Sequence, residues 1–346
     1  MDGTILLFLV QDAITNGAIY ALLGIAIVLI FTVTRVIFIP QGELVAFGAL
    51  TYAMLEAGKM PGTVWLTAAF GAAAFVFDLA AWFRRGGTAR HLVPSAAFHL
   101  GLPAALIAAT FAISGAGFGP LAHMLLTLAL IMPLGPSIYR VAFQPIASAS
   151  ILVLLITAVG VHLALVGLGL VVFGAEGLRA PDLCDLTLDL GPLLVSGQSL
   201  MIYAFTLLAI GALWAFFRYA LWGKALKAMA VNRLGAQLVG IRTALAGSLA
   251  FALAALVGAL SGILIIPVTT LYYDSGFIIG LKGFVAAIVG GLASYPVTAL
   301  AALGVGLVEA FSSFFASDLK EVLVFMLILP VLFWRSLTQL HVEEED

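Results

Sequence analysis

The sequence predicts an all-α fold: a polytopic transmembrane helical bundle of about 10–11 spans, with broken or re-entrant helices among them. Three observations lead there. Hydrophobic residues make up 63% of the chain and charged ones 9%, at a mean hydropathy of +1.20. With 15 Lys and Arg and 17 Asp and Glu in 346 residues, the surface of a water-soluble fold of this size cannot be covered. The apolar runs have the length, about 20 residues at 1.5 Å each, that crosses a hydrocarbon core of about 30 Å. Alternation at strand length is absent, which argues against a membrane barrel.

In chain order, spans are expected near 13–37, 43–58, 63–83, 95–114, 120–139, 151–173, 199–217, 245–267, 277–294, 297–316 and 319–336. The first is not expected to be a cleavable leader, because Met1-Asp2-Gly3 brings no basic segment and the apolar stretch behind it is too long. In Ile39-Pro40-Gln41-Gly42-Glu43, Pro removes a backbone donor and Gly permits a sharp bend, so a break within the bilayer is expected there. Ile39-Pro40 and Ile266-Pro267 echo each other faintly. Gly276, Gly280, Gly283 and Gly290-Gly291 recur at helical spacings, which lets helix backbones approach closely.

Basic residues collect in cytoplasmic loops and so set the orientation. With the N-terminus outside, the inner ends receive Arg35, Arg84, Arg85, Arg90, Arg140, Arg218, Lys224, Lys227, Arg233, Arg242 and Arg335, and the outer ends only Lys59, Arg179, Lys282 and Lys320. The C-terminus is then cytoplasmic. The outer loop, about 174–198, holds Glu176, Asp182, Asp185 and Asp189. Its Leu186-Thr187-Leu188-Asp189-Leu190 alternates like a short strand, either facing an extracellular partner or forming a solvated hairpin. The tail Glu343-Glu344-Glu345-Asp346 reads as a solvated end.

No catalytic constellation appears: the chain has no GxxxxGK[ST] loop for a nucleotide phosphate, no HExxH and no GxSxG. No cofactor or metal is expected, since Cys184 is the single cysteine and His91, His99, His123, His162 and His341 are scattered over different segments. A net charge of −2 argues against a nucleic-acid partner. Ionisable groups at membrane depth say more, because such a group normally faces a protein interior or a water-filled cavity. Glu43 stands either beside a pathway or at a solvated helix end. Glu309, in mid-span, either lines a cavity or pairs internally. Asp78 either snorkels toward the Arg84-Arg85 boundary or has a functional role. Asp12 and Asn16 open the first span, and Asn16-Gly17 suits contact between helices.

The inner loop 218–244 is the most basic stretch. Its Gly223-Lys224-Ala225-Leu226-Lys227, Asn232, Ala236 and Gly240-Ile241 resemble the cytoplasmic coupling segment of branched-chain amino acid ABC transporter permeases of the LivH type. Asn16-Gly17-Ala18-Ile19-Tyr20-Ala21-Leu22 resembles that family's first span, Tyr139 through Pro145 its inner corner, and Leu155 through Gly160 the span that follows. Gly280 through Pro296, with Lys282, and Gly304 through Ala310, with its acid Glu309, resemble the late spans.

Three departures stand out. The family's Asn-x-Ala-His-Gly-acid turn is here Phe38-Ile39-Pro40-Gln41-Gly42-Glu43. The stretch 63–117 has no counterpart and reads as an extra pair of spans. Leu234-Gly235 replaces an acidic-Ala pair in the coupling segment.

The resemblance implies one permease domain over 1–346 in a bacterial inner membrane, with no ATPase site of its own. Its partners would be a second, LivM-like permease, two cytoplasmic ABC ATPases, an extracytoplasmic substrate-binding protein and membrane lipid. Gly223, Lys224, Ala225, Lys227, Asn232, Ala236, Gly240 and Ile241 would couple to the ATPases. Asn16, Gln41, Gly42, Glu43, Lys282 and Glu309 would line the path of a branched-chain amino acid or related small polar solute. The competing expectations are an ion-coupled secondary transporter using Glu43 and Glu309, and a passive channel.

Overall fold

The computed structural model describes residues 3–85, 92–114, 118–189, 191 and 194–339. Arg90, His91, His341 and the tail Glu343–Asp346 lie outside the described residues.

The first half is built from α1 (Gly3–Thr34), α2 (Gln41–Glu56), α3 (Thr63–Arg85), α4 (Leu92–Ala96), α5 (Leu102–Ser114), α6 (Pro120–Ile131), α7 (Leu134–Ile138) and α8 (Ile151–Phe173). A π turn, Ala97–Gly101, joins α4 to α5, and a second, Tyr139–Phe143, extends α7. A two-stranded hairpin follows, β1 (Thr187–Asp189) and β2 (Leu194–Ser196). The second half comprises α9 (Gly197–Tyr219), α10 (Leu221–Val231), α11 (Arg233–Leu238), α12 (Thr243–Ile265), α13 (Gly276–Val289), α14 (Tyr295–Phe315), α15 (Lys320–Met326) and α16 (Ile328–Gln339).

Among the described residues, 8 helical runs are long and apolar enough to cross a membrane: α1, α3, α4–α5, α6–α7 with its extension, α8, α9, α12 and α14. The remaining expected spans are helical but short or broken. The 16 residues of α2 and 14 of α13 reach only about 24 and about 21 Å at 1.5 Å per residue, less than a bilayer core. Between α15 and α16 the helix is interrupted at Leu327. One boundary is corrected: α1 starts at Gly3 rather than near residue 13, so Asp12 and Asn16 lie inside the helix and do not open it. The apolar run Ile5–Val10 carries the helix upstream of them.

The core forms around α1 and α2. Gly17 through Ile30 is buried all round, as is Gln41 through Ala53, which matches sequences apolar on every face. Two long–short pairs interlock there, with α1 and α2 each packing on both α12 and α13. The echo of Ile39-Pro40 and Ile266-Pro267 marks the exits of the two long helices. The short helices meet at their N-termini, where a Cβ at Gly42 would lie 1.9 Å from the Gly276 carbonyl oxygen and one at Gly280 would lie 2.9 Å from Gly42 Cα. Only glycine permits that approach. By contrast, α8 and α9 present Leu152, Ile156, Leu163, Val171, Leu207 and Leu208 outward, the surface that lipid or another apolar subunit covers.

The strand expected in the 174–198 loop exists. β1 pairs antiparallel with β2, Thr187 opposite Ser196 and Asp189 opposite Leu194. The loop is not a free hairpin: Leu178 and Leu271 exchange backbone hydrogen bonds, and Arg179 Nε donates to the Pro267 carbonyl at 3.0 Å. These contacts strap it to the connection between α12 and α13. Because α9 runs its 23 residues from β2 to α10, the hairpin and the α10–α11 segment occupy opposite ends of the bundle.

Candidate functional site

At the end away from the hairpin, the residues singled out in the inner loop explain one another. Asn232 is extended (φ −149°, ψ 102°), which ends α10, and its Oδ1 accepts the Gly235 N–H at 2.8 Å, which caps α11. At the other end of α11, Gly240 takes φ +88°. Its N–H donates to the Gln237 carbonyl and that of Ile241 to the Ala236 carbonyl, both at 3.0 Å. This is the Schellman closure, in which a left-handed glycine satisfies the last helical carbonyls. Four of the eight expected coupling residues therefore build the two ends of one short helix. Gly223 is buried against the Phe216 carbonyl where α10 leaves α9, Ala225 is half-buried, and Lys224 and Lys227 are exposed.

The inner face of this segment, Leu226, Met229 and Ala236, packs on Leu29 and Val33 of α1, Phe217 of α9, and Ala246 and Ala250 of α12. Its outer face carries Val231, Leu234, Leu238 and Val239, between 67% and 87% exposed. Sequence reasoning saw a basic loop and missed this apolar surface. The signal was present in Leu234, noticed only as a departure. Arg233 Nη1 donates to the Ala147 carbonyl at 3.1 Å, tying α11 to the corner after the second π turn.

The expected pathway residues divide. Gln41 and Glu43 are fully buried, which removes the solvated-end alternative for Glu43. Gln41 Nε2 donates to the Ala254 carbonyl at 2.9 Å. Glu43 Oε1 lies 2.7 Å from His162 Nδ1, and the His162 ring stacks on Phe277 at 4.6 Å. Phe38, in the place of the family's Asn, fills a cluster with Phe143 and Phe251 at 5.9 and 4.9 Å. Lys282 is buried in the middle of α13 and is no loop lysine. Its Nζ sits 2.5 Å from Glu309 Oε1 and 3.2 Å from Glu321, and Tyr20 OH donates to Glu309 Oε2 at 2.5 Å. Of its two alternatives, Glu309 thus pairs internally. Two partners escaped the sequence: Tyr20, four residues from Asn16 on the same helix, and His162, a lone histidine in an apolar run.

Asp78 does not snorkel toward Arg84. It forms an ion pair with Arg140 and accepts a hydrogen bond from Ser95, with His99 at 3.7 Å. Arg140 lies in the second π turn, so this cluster pins α3 and the first π turn to the corner that α11 touches. His123 Nδ1 and Glu56 Oε1 form a further pair at 2.8 Å.

Of the expected pathway residues, Asn16 borders a polar cavity. The cavity, about 520 Å³, opens at the hairpin end among Gln11, Asp12, Asn16, Arg179, Asp182 and Ser199. It is bounded by α1, the strapped loop, the start of α9 and the exit of α12.

A family profile described as "Branched-chain amino acid transport system / permease component" matches residues 9–332. The chain belongs to that family. The high-affinity branched-chain amino acid transport system permease protein LivH of Escherichia coli K12 is 32% identical over 207 residues, 57% of this chain and 67% of the relative. LivH of Salmonella typhimurium gives the same 32% over 207 residues. BraD of Pseudomonas aeruginosa, a permease protein of the same description, is 28% identical over 208 residues, 58% of this chain and 68% of the relative. A solved structure, PsaBC from Streptococcus pneumoniae in complex with Fab, aligns over 94% of this chain and 89% of that one at 10% identity and a TM-score of 0.36, too slight a likeness to bear on the fold. The permease is thus the membrane-spanning transport component of an ABC importer and a multi-pass membrane protein.

Proposed function

We propose that the permease moves branched-chain amino acids, or a related small polar solute, inward across a bacterial inner membrane by alternating access. The observation that carries the coupling is the span of α1 and α12. At one end both helices are packed by Leu226, Met229 and Ala236 of the α10–α11 segment; at the other, Gln11–Asn16 of α1 and Pro267–Val268, just past the end of α12, border the polar cavity. A displacement of α10–α11 is transmitted along these two buried helices to the cavity.

The exposed Val231, Leu234, Leu238 and Val239, flanked by Lys224 and Lys227, suit a groove on a cytoplasmic ATPase, apolar at its centre and acidic at its rim. The permease supplies the path and the lever, and hydrolysis belongs to two separate ATPases. A second, LivM-like permease pairs with it, and an extracytoplasmic binding protein delivers cargo at the hairpin end. In this arrangement the N-terminus is outside and the C-terminus cytoplasmic. The excess of basic residues agrees more cleanly once Lys282, buried beside Glu309, is removed from the outer side. Gln41, Gly42, Glu43, Lys282 and Glu309 hold the interlocked pairs together, and Asn16 stands at the mouth of the path.

The extra pair within 63–117 packs at the periphery, held by the Asp78–Arg140 ion pair, with Trp65, Phe83 and Phe111 facing outward. The second, ion-coupled reading rests on the buried Glu43–His162 and Lys282–Glu309 pairs, since transporters that use protons carry such groups. Proteoliposomes holding the permease with its partner permease, ATPases and binding protein separate the two. ATP-driven uptake that survives an ionophore supports the importer. Uptake that needs no ATP and collapses with the ionophore supports ion coupling.

A further inference from the structure

We infer that the hairpin-end cavity is a transit site for a zwitterion, gripping the α-carboxylate at Arg179 and the α-ammonium between Asp12 and Asp182. This rests on the amino-acid reading of the cargo and deepens it by naming where the permease meets the charged head.

The cavity combines both signs of charge without using them internally. Arg179 spends its Nε on the Pro267 carbonyl, which fixes the guanidinium at the exit of α12, and no carboxylate lies within 4.0 Å of it among the described residues. Asp12 and Asp182 likewise have no ion-pair partner among the described residues. The two free guanidinium nitrogens match a carboxylate bidentately. An ammonium, with three donors, is shared by two carboxylates.

Arg179, Asp12 and Asp182 are exposed at the cavity mouth, so a solute of single sign meets a like charge there, whereas a zwitterion meets an opposite charge at each end. Gln11, whose Oε1 is buried without a hydrogen-bond partner, and Asn16 add uncharged polar groups on the α1 wall. The volume, about 520 Å³, is within the range of about 300–1,000 Å³ usual for small-molecule sites. The position matters as much: the walls include the far end of α1 and the residues just past α12, the two helices that the α10–α11 segment holds, so a site here feels the coupling stroke.

The experiment uses the full transporter in proteoliposomes with ATP, and leucine delivered by the binding protein over a wide range of concentrations. Arg179→Gln and Asp12→Asn are each expected to lower the maximal uptake rate tenfold or more at saturating loaded binding protein, and Arg179→Lys, which keeps the charge, to recover at least a third of it. Three results overturn the inference. Maximal rates within twofold of wild type mean that the charges are merely solvated. Variants whose rate returns to wild type when more binding protein is added make the cavity a docking surface. A wild-type transporter that couples ATP to uptake of an uncharged solute, and not of leucine, removes the amino-acid reading and this site with it.

Discussion

Lys282 and Glu309 show how a charge is kept inside this bundle: each ion has the other at 2.5 Å, with Tyr20 and Glu321 satisfying further positions. Breaking one side of a buried pair costs about 3–5 kcal/mol, because the survivor is left uncompensated. Glu309→Gln is expected to fall at the lower end of that range, since Glu321 still stands 3.2 Å from the lysine. The double variant Lys282→Met with Glu309→Gln should recover most of the loss, as followed by the melting temperature of the purified complex. A double variant no better than the single one would show that pairing is not what the cluster provides. A sharper contrast exists among glycines. Gly42→Ala drives a methyl group into the Gly276 backbone, an overpacking of about 1–3 kcal/mol or more, whereas Gly160→Ala meets nothing within 4 Å. Folded yield in membranes should drop for the first and stay near wild type for the second.

The α10–α11 element shows what a sequence motif is for. Asn232, Ala236, Gly240 and Ile241 look unrelated along the chain, yet they are the cap and the closure of one helix. Removing the cap with Asn232→Ala costs about 1 kcal/mol, and forcing a side chain into the left-handed turn with Gly240→Ala about 1–2 kcal/mol. Both costs are local. The expected outcome is fewer solutes carried per ATP, measured in proteoliposomes, with the melting temperature of the complex moving by no more than a few degrees. Global unfolding in either variant would mean that the segment is part of the core and no separate lever. The motif was legible through its resemblance to the family's coupling segment, and the cap and turn beneath it are local chemistry. The outward Val231, Leu234, Leu238 and Val239 were not legible, since which face of a short helix is covered depends on α1 and α12, far away in the chain. Likewise Glu43 was legible as unusual while its partner, 119 residues on, was not.

At the scale of the whole molecule, scarcity of charge predicted the membrane bundle, and apolar run length predicted its helices. Length alone could not tell a full crossing from the short α2 and α13, because the glycine contact that lets their N-termini meet is made between distant segments. It also placed the start of α1 ten residues late, since Asp12 and Asn16 look like a helix boundary until the cavity they face is known. What remains is a pair of long helices joining the α10–α11 segment to a polar cavity. That connection is tested most directly by leucine uptake and ATP hydrolysis measured together in proteoliposomes carrying the permease and its partners, wild type against Gly240→Ala. In the variant, the ATPases are expected to continue hydrolysing ATP while uptake falls at least tenfold. Uptake that stays in proportion to hydrolysis would contradict it.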